Sequence, residues 1–222
     1  VFRQVEERLC DYGVVPVENS TEGMVGQTLD CFLESPLQIT GEIELPVVHH
    51  LLAARGTELS SIKLILGHEQ ALGQCRHWLD SQLPDVPREA VASNGEAARR
   101  AGIESGVAAI AGELAATLHQ LEPLASAIQD SSTNTTRFLV LGKESVPASG
   151  HDKTSLLVSA RNRPGALLGL LRPFEENGIS LTRIDSRPSK TEKWTYVFYI
   201  ECEGHLTDEV MVEVMGQIEE HS

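Results

Sequence analysis

The stretch that decides the fold class is Ile62-Lys63-Leu64-Ile65-Leu66-Gly67-His68-Glu69-Gln70-Ala71-Leu72-Gly73-Gln74. Its first half is a short apolar run that ends in a glycine turn, which is typical of a buried strand. The spacing of apolar residues after the turn predicts a helix from Gln70 to Gln82. Short strands and helices alternate in the same way on both sides of this stretch. We therefore predict an α/β fold in which most neighbouring strands are parallel.

A second domain is predicted after the segment Ser145-Val146-Pro147-Ala148-Ser149-Gly150, whose composition is typical of a linker. The pattern that follows predicts a strand, a helix, two strands and a helix, at 154–160, 165–176, 179–186, 194–201 and 207–220. This order is a ferredoxin-like α+β unit without its last strand. We divide the chain into a first domain at 1–144, a linker at 145–152 and a second domain at 153–222.

The composition excludes several classes of function. The chain has 32 acidic and 18 basic side chains and a formal net charge of -14, so nucleic acid is not an expected partner. No apolar run approaches the ~18 residues of a membrane span, and the N-terminus does not read as a secretory signal. The cysteines form no Cys-x-x-Cys pair and no histidine cluster has metal spacing. We expect reduced thiols, no metal, no cofactor and a cytoplasmic location.

Three stretches resemble motifs of the prephenate dehydratase family. Pro16-Val17-Glu18-Asn19-Ser20-Thr21-Glu22-Gly23 resembles the family's Pro-[Ile/Val]-Glu-Asn-Ser-x-x-Gly segment. His68-Glu69-Gln70-Ala71-Leu72-Gly73-Gln74-Cys75 resembles its His-Pro-Gln-Ala-Leu-x-Gln-Cys segment, and Asn134-Thr135-Thr136-Arg137-Phe138 resembles its Asn-x-Thr-Arg-Phe segment. In this order they imply a two-lobed catalytic domain of the periplasmic-binding-protein type.

The chain departs from the family pattern in two places. Glu69 stands where the family has proline, a change that we expect to leave Gln70 and Gln74 in place. The Gly-Pro-x-Gly-Thr-Phe-Ser segment with which the family begins is absent. We therefore expect the N-terminal segment of the first domain to be missing from this chain.

The second domain resembles the ACT regulatory domain of the same enzymes, through Asn162-Arg163-Pro164-Gly165-Ala166-Leu167-Leu168 and Asp185-Ser186-Arg187-Pro188. The resemblance implies that L-phenylalanine acts as allosteric effector between two ACT units of a homodimer or homotetramer. The helix start after Pro164 would offer free amides to a carboxylate, although an ordinary helix start is the alternative. The implied effector-binding residues are Asn162, Pro164, Gly165, Ala166, Leu167, Asp185, Ser186, Arg187 and Pro188.

The implied reaction converts prephenate to phenylpyruvate with loss of water and carbon dioxide. Tight binding of the departing carboxylate would stabilise the ground state more than the transition state, so we expect neutral polar groups near the ring. Thr136 fits because its hydroxyl can donate a hydrogen bond to the leaving hydroxyl while a neighbour or water supplies the proton. The alternative is a threonine whose hydroxyl is satisfied by the backbone.

Two further residues have candidate catalytic roles. Arg137 could hold a substrate carboxylate or form a structural ion pair. Glu18 could supply a proton if burial raises its pKa, or it could only bridge the lobes. The geometric expectation is that Thr136 and the turn from Glu18 to Ser20 face one cavity.

The predicted substrate-binding residues are polar groups at strand ends and on one helix face. Gln74 follows Gln70 by four residues, so both share a helix face and one of them is expected to meet the substrate. Helix capping is the alternative role of Asn19 and Ser20. The full set is Asn19, Ser20, Gln74, Ser93, Asn94, Thr135 and Phe138.

Two rival functions remain from the sequence alone. The first is a non-catalytic amino-acid sensor with an ACT domain, which would not form phenylpyruvate from prephenate. The second is another amino-acid-regulated enzyme such as a dehydrogenase. That function requires a Gly-x-Gly-x-x-Gly loop, which the sequence lacks.

Overall fold

The computed structural model describes residues 1–160, 163–189 and 195–219. They form two compact units. The first unit contains Val1–Val17, Val25–Glu42 and Leu139–Ser222, and the second contains Glu18–Met24 and Ile43–Phe138. Among the described residues, no helix is both long enough and apolar enough to cross a membrane.

Helices and strands alternate along most of the chain. The helices are α1 (Phe2–Glu6), α2 (Gly26–Phe32), α3 (Glu69–Gln74), α4 (Arg76–Gln82), α5 (Asn94–Ala101), α6 (Glu113–His119), α7 (Ala166–Glu176) and α8 (Glu209–Glu219). The strands are β1 (Gly13–Asn19), β2 (Gly23–Met24), β3 (Gln38–Pro46), β4 (His50–Ala54), β5 (Leu64–Gly67), β6 (Arg88–Ala90), β7 (Val107–Ala111), β8 (Leu121–Ala125), β9 (Thr135–Gly142), β10 (Lys153–Ala160), β11 (Leu181–Pro188) and β12 (Tyr196–Glu203).

The second unit is built on a five-stranded sheet with the order β6-β5-β7-β4-β8. Strand β5 is parallel to β6 and β7, as predicted, but β4 is antiparallel to both of its neighbours. The prediction of a largely parallel sheet is therefore wrong for this half of the sheet. The reason is that β4 follows β3 directly, without a crossover helix, and it pairs with strands that occur much later in the chain.

The predicted helix from Gln70 to Gln82 is two helices, α3 and α4, separated at Cys75. A distant residue causes the break. The backbone N–H of Asp130 donates to the carbonyl of Gln74 at 2.7 Å, and its carboxylate accepts the backbone N–H of His77 at 3.1 Å. Asp130 thus ends one helix and begins the next, which no local pattern reveals.

Strand β8 is an element that the sequence pattern does not predict, and it contains Pro123. Proline cannot donate to a strand ladder and is tolerated on edge strands. Strand β8 is the edge strand of its sheet, so the proline is accommodated there.

The sheet of the second unit has an apolar core on each face. Leu51, Ile65 and Ile110 belong to one cluster, and Leu52 and Leu66 belong to the other. Adjacent residues such as Leu51 and Leu52 serve opposite faces because side chains alternate along a strand. Burial of each such side chain contributes roughly 1.5–3 kcal/mol relative to exposure. Both faces of this sheet are therefore covered by apolar side chains.

A four-stranded sheet has the order β2-β1-β9-β3. Strands β1, β3 and β9 each contain a boundary between the two units, at Val17, Glu42 and Phe138. The polar residues predicted to form the site lie on the second-unit side of the boundaries in β1 and β9.

The predicted β-α-β-β-α order of the second domain is confirmed by β10, α7, β11, β12 and α8. The three strands form an antiparallel sheet with the order β10-β12-β11. Phe174, Ile200 and Val214 belong to the core that the sheet shares with the two helices. The strand predicted at 194–201 corresponds to β12, which begins at Tyr196. Thr195 lies just before β12, and Trp194 lies outside the described residues.

Candidate active site

The turn between β1 and β2 is organised by Asn19. The side-chain oxygen Oδ1 of Asn19 accepts the backbone N–H groups of Thr21 at 2.9 Å and Glu22 at 3.1 Å. The turn closes at Gly23, whose φ of 84° is in the left-handed region that favours glycine. The predicted polar turn is therefore an Asx turn, in which a side chain replaces a backbone acceptor.

The amide nitrogen of Asn19 joins this turn to the start of β9. Nδ2 donates to Oδ1 of Asn134 at 2.8 Å and to Oγ1 of Thr136 at 3.0 Å. Asn134 is only 3% exposed. We call Asn19, Asn134 and Thr136 the Asn19 cluster. Because the Asn19 carboxamide makes four hydrogen bonds, its position and its flip state are both determined by its partners.

The direction of the bond between Asn19 and Thr136 determines what the threonine can do. A carboxamide nitrogen only donates, so Oγ1 of Thr136 accepts in this contact. The single hydroxyl proton of Thr136 is not used in it and can be donated elsewhere. Thr136 is thus prepared as a hydrogen-bond donor to a ligand.

Ser20 and Thr135 hold the two segments together beside the cluster. The backbone N–H of Ser20 donates to the carbonyl of Thr135 at 2.9 Å, and the backbone N–H of Thr135 donates to Oγ of Ser20 at 3.0 Å. Oγ of Ser20 donates in turn to the carbonyl of Thr133 at 3.1 Å. The Ser20 hydroxyl therefore has a fixed role in joining the segments.

The predicted helix face of Gln70 and Gln74 is confirmed, since both side chains donate to the carboxylate of Glu22. The Gln74 bond to Oε1 of Glu22 is 3.1 Å long. The carboxamide oxygen of Gln74 lies 2.9 Å from Nε2 of His49. These contacts place Gln74 next to the Asx turn, and they involve Glu22 and His49, which the motif comparison did not select.

Ser93 and Asn94 lie at the junction between β6 and α5. Oγ of Ser93 caps the helix by accepting the backbone N–H of Glu96 at 3.0 Å. Oδ1 of Asn94 accepts the backbone N–H of His68 at 2.9 Å. Asn94 thus links two neighbouring junctions that follow the carboxyl ends of the parallel strands β5 and β6, where ligands bind in open α/β sheets.

Three predicted residues are neighbours of the Asn19 cluster along β1 and β9, and two of them, Glu18 and Arg137, lie on other faces of their strands. Arg137 is 8% exposed and follows Thr136, so alternation directs the two side chains to opposite faces of β9. Phe138 is on the Thr136 face and is half-buried. Glu18 is half-buried and pairs with Met24, and it precedes Asn19 on β1. The structure thus brings Asn19 to Thr136 directly, but Glu18 and Arg137 point away from that contact.

The predicted effector residues belong to the first unit, except that Asn162 lies outside the described residues. Pro164 and Gly165 line a surface cavity of about 570 Å³ beside α7. Gly165 has a φ of 80°, a left-handed conformation that favours glycine. Leu167 is exposed and Ala166 is half-buried at the start of the helix. The first effector motif is thus presented at the surface.

The second effector motif alternates along β11. Asp185 and Arg187 are half-buried, whereas Ser186 and Pro188 are exposed. Asp185 pairs with Tyr199 of β12, whose neighbour Ile200 belongs to the core on the helix side of the sheet. Asp185 and Arg187 therefore lie on the sheet face opposite α7 and α8.

That sheet face contacts α2 within the first unit. The hydroxyl of Tyr199 donates to the carbonyl of Leu29 at 2.5 Å. A Cβ added at Gly26 would lie 2.8 Å from Nη1 of Arg187, so the guanidinium packs directly on the helix start. Burial, with Asp30 as the largest coulombic cause, raises the pKa of Tyr199 to about 12. The phenol therefore stays protonated and remains a donor at neutral pH.

Among the described residues, no group of three or more metal-ligating side chains is assembled.

Comparison with known proteins gives one consistent family. A family model described as prephenate dehydratase matches residues 1–146, and an ACT domain model matches residues 154–220. A bifunctional chorismate mutase/prephenate dehydratase of Stutzerimonas stutzeri is 53% identical over 218 residues, which are 98% of this chain and 60% of that relative. The chain spans 58% to 60% of the length of four curated relatives that it matches.

Two solved structures are similar over nearly the whole chain. A prephenate dehydratase from Arthrobacter aurescens in complex with L-Phe is 33% identical with a TM-score of 0.90, covering 99% of this chain and 74% of that one. A protein described as a novel type of quorum quenching acylase is 25% identical with a TM-score of 0.88, covering 100% of this chain and 81% of that one. The predicted fold class is confirmed by these similarities. The chain therefore belongs to the prephenate dehydratase family and carries an ACT domain after its dehydratase-family region.

Proposed function

We propose that this protein is a prephenate dehydratase that converts prephenate to phenylpyruvate, water and carbon dioxide. The observation that carries the proposal is the bond from Nδ2 of Asn19 to Oγ1 of Thr136. It leaves the threonine proton for the leaving hydroxyl of the substrate. One proton is consumed when hydroxide leaves as water, and solvent or a neighbouring acid supplies it through this hydrogen bond.

We further propose which side chains meet the substrate. Thr136 donates to the leaving hydroxyl, while Gln74 and Asn94 are placed at the adjoining turns to bind polar groups of the substrate. The proposed role of Ser20, Ser93 and Thr135 is to hold these turns. The hydroxyls of Ser20 and Ser93 bond to backbone groups, and Thr135 contributes its own backbone N–H and carbonyl. Glu18, Arg137 and Phe138 remain proposed residues of the same site.

Regulation by L-phenylalanine is proposed from the ACT domain. The Arthrobacter aurescens relative was solved with L-Phe, which supports the amino acid as the effector of this protein too. We propose that it binds at Pro164–Leu167 and Asp185–Pro188, between ACT domains of a homodimer or homotetramer. The domain boundaries 1–144, 145–152 and 153–222 and a cytoplasmic location belong to the same proposal.

The acylase similarity suggests a different reaction, amide hydrolysis. Hydrolysis through a hydroxyl nucleophile requires a base that removes the hydroxyl proton. The partner of Thr136 is an amide donor, which cannot accept that proton. Ser20 donates its proton to a backbone carbonyl, which is not a base either. These contacts favour hydrogen-bond donation by Thr136 and therefore dehydration.

The test is whether the full-length gene product forms phenylpyruvate from prephenate. Phenylpyruvate formation is monitored by the absorbance of phenylpyruvate. We expect Thr136→Ala to reduce kcat by about 10²- to 10⁴-fold with little change in KM, because only the transition-state donor is lost. Thr136→Ser keeps a hydroxyl and should retain most activity. Thr133→Ala serves as the matched control, since only the backbone carbonyl of Thr133 contacts Ser20.

The outcomes separate the candidate functions. Wild-type turnover by Thr136→Ala would contradict the proposed role of the threonine. No turnover of prephenate by the wild-type protein, together with phenylalanine binding, would favour the non-catalytic sensor. Hydrolysis of an acyl amide without phenylpyruvate formation would favour an acylase.

A further inference from the structure

His49 is a buried histidine immediately before β4, and it is only 6% exposed. Its backbone is held on both sides. The N–H of His49 donates to Oε1 of Gln129 at 3.1 Å, and its carbonyl accepts the backbone N–H of Ile128 at 2.9 Å. The imidazole is therefore placed by a backbone that is held on both sides, and its one side-chain partner in the described part of the chain is Gln74.

The protonation of the imidazole follows from its partners. A carboxylate only accepts, so the nitrogen of the Gln74 carboxamide must face Glu22 and its oxygen must face His49. Nε2 of His49 must then carry a proton and donate. Nδ1 is buried and has no hydrogen-bond partner among the described residues. The imidazole is therefore the neutral Nε2–H tautomer, with an unpaired acceptor on its other side.

This arrangement orients Gln74. The terminal torsion of a glutamine is broad, and the amide can flip end for end at little intrinsic cost. Here an acceptor, Glu22, holds one end and a donor, His49, holds the other, so only one orientation satisfies both. Within the residues that the structure describes, one N–H and one oxygen lone pair of the carboxamide have no partner and can bind a ligand.

We propose that His49 is a positioning residue that, together with Glu22, fixes the Gln74 carboxamide in the orientation that binds substrate. The inference rests on the proposed function, since it assumes that Gln74 contacts prephenate or an intermediate. It adds two residues, His49 and Glu22, that the sequence motifs did not select.

The surroundings of His49 keep its imidazole in the neutral form that donates through Nε2. Burial lowers the pKa of His49, and the positive charge of a protonated His50 acts in the same direction, while the hydrogen bond to Gln74 opposes them. The imidazole is thus neutral at neutral pH. A neutral donor orients the amide without placing a cation near a carboxylate that has to leave.

Loss of a purely structural histidine would lower the stability of the folded protein, whereas loss of a positioning histidine would lower turnover. A buried polar atom without a partner destabilises the folded protein, so Nδ1 of His49 adds nothing to the stability of the core. Leucine at this position would remove the unpaired Nδ1 atom. His49→Leu should therefore change the unfolding temperature by only a few degrees, while turnover falls.

The kinetic test compares three variants of the full-length gene product. We expect His49→Leu to lower kcat/KM by about tenfold or more, because a misplaced binding group costs this much. His49→Gln can place its Nε2 close to that of histidine and should recover activity to within about threefold of wild type. His50→Leu is the matched control, since this neighbour contacts Ala127 rather than Gln74, and it should keep wild-type kinetics.

Coupling to Gln74 separates positioning from general damage. In a Gln74→Leu background, His49→Leu should cause no further loss of kcat/KM, because the group that it positions is gone. Unchanged kinetics of His49→Leu, or failure of His49→Gln to recover, would overturn the proposal. An undiminished effect of His49→Leu in the Gln74→Leu background would overturn it as well.

A spectroscopic readout keeps this inference distinct from the proposed function. Nitrogen-15 NMR of the His49 imidazole at neutral pH should show a protonated Nε2 and a bare Nδ1, and Gln74→Leu should shift the Nε2 resonance. A protonated Nδ1 would refute the orientation itself. If prephenate is not turned over but the NMR result is as expected, the proposed function fails and the geometry of Gln74 stands.

Discussion

The Asn19 cluster in the second unit and the strand Asp185–Pro188 in the first unit are both polar motifs, but they are held in opposite ways. Every hydrogen-bonding group of the Asn19 carboxamide has a partner. In the strand, Nη2 of Arg187 lies 3.8 Å from Oδ2 of Asp185. The buried Nε of Arg187 has no hydrogen-bond partner among the described residues. Ser186 and Pro188 are exposed.

The difference matches what each region is proposed to do. A satisfied network keeps one arrangement and is therefore prepared for a transition state without reorganisation. A motif with an unsatisfied buried donor has free energy to gain from a ligand or from a new arrangement, which is what a regulatory site requires. The contacts of Arg187 with Gly26 and of Tyr199 with Leu29 connect the second motif to α2.

Asn19→Asp tests whether the direction of the bond between Asn19 and Thr136 matters, and it should have the largest effect. Aspartate keeps the acceptor for the Thr21 and Glu22 amides but replaces the donor to Thr136 by an oxygen. The Thr136 hydroxyl would then donate to that carboxylate instead of the substrate. We expect kcat to fall by about 10²- to 10³-fold with the turn intact. Retained kcat in steady-state assays would show that the direction of this bond is unimportant.

Thiol labelling can test whether the two regions open separately. Cys75 in the second unit and Cys202 in the first unit are fully buried, and burial raises their pKa to about 12 and about 11. Each thiol therefore reacts only when its surroundings open. Phenylalanine at 100 times its Kd should slow the labelling of Cys202 by up to about 100-fold, with a smaller effect on Cys75.

Peptide mapping by mass spectrometry distinguishes the two thiols in that experiment. The exposed Cys10 is the control and should label at the same rate with and without phenylalanine. Equal protection of Cys75 and Cys202 would mean that the two regions open together and not separately.

The smallest effect is expected from Gly26→Ala. The added Cβ would crowd the Arg187 guanidinium, whose flexible side chain can move at a cost of about 1 kcal/mol or less. We expect the Ki of phenylalanine to change severalfold while uninhibited kcat stays the same. Gly216→Ala in α8 is the control, because its Cβ meets nothing within 4 Å and should stabilise the helix by about 0.5–1 kcal/mol. Identical inhibition in both variants would contradict a role for the contact between Arg187 and α2.

What the sequence predicted well depends on local pattern or on an ordered set of motifs. The helix face of Gln70 and Gln74 follows from their spacing, and both reach Glu22. The proximity of Thr136 to the turn at Asn19 follows from the resemblance to the family, and the structure joins them at 3.0 Å. The ACT-domain element order follows from alternating apolar patterns.

What the sequence did not predict depends on contacts between distant residues. Asp130, which is 55 positions after Cys75 in the sequence, breaks the predicted helix there. Strand β4 is antiparallel to its neighbours because they occur much later in the chain. The sequence assigns no role to His49, since its partner Gln74 is on another element. Asn134 was quoted within a motif, but its burial and its bond to Asn19 appear only in the folded chain.

The most direct test is a double-mutant cycle between Asn19 and Thr136 read out as kcat for prephenate dehydration. If Asn19 acts by directing the Thr136 proton, then Asn19→Asp should add almost nothing in the Thr136→Ala background, and the double variant should match Thr136→Ala alone. If the two losses multiply, the residues act independently, and the bond between them is not what prepares the threonine.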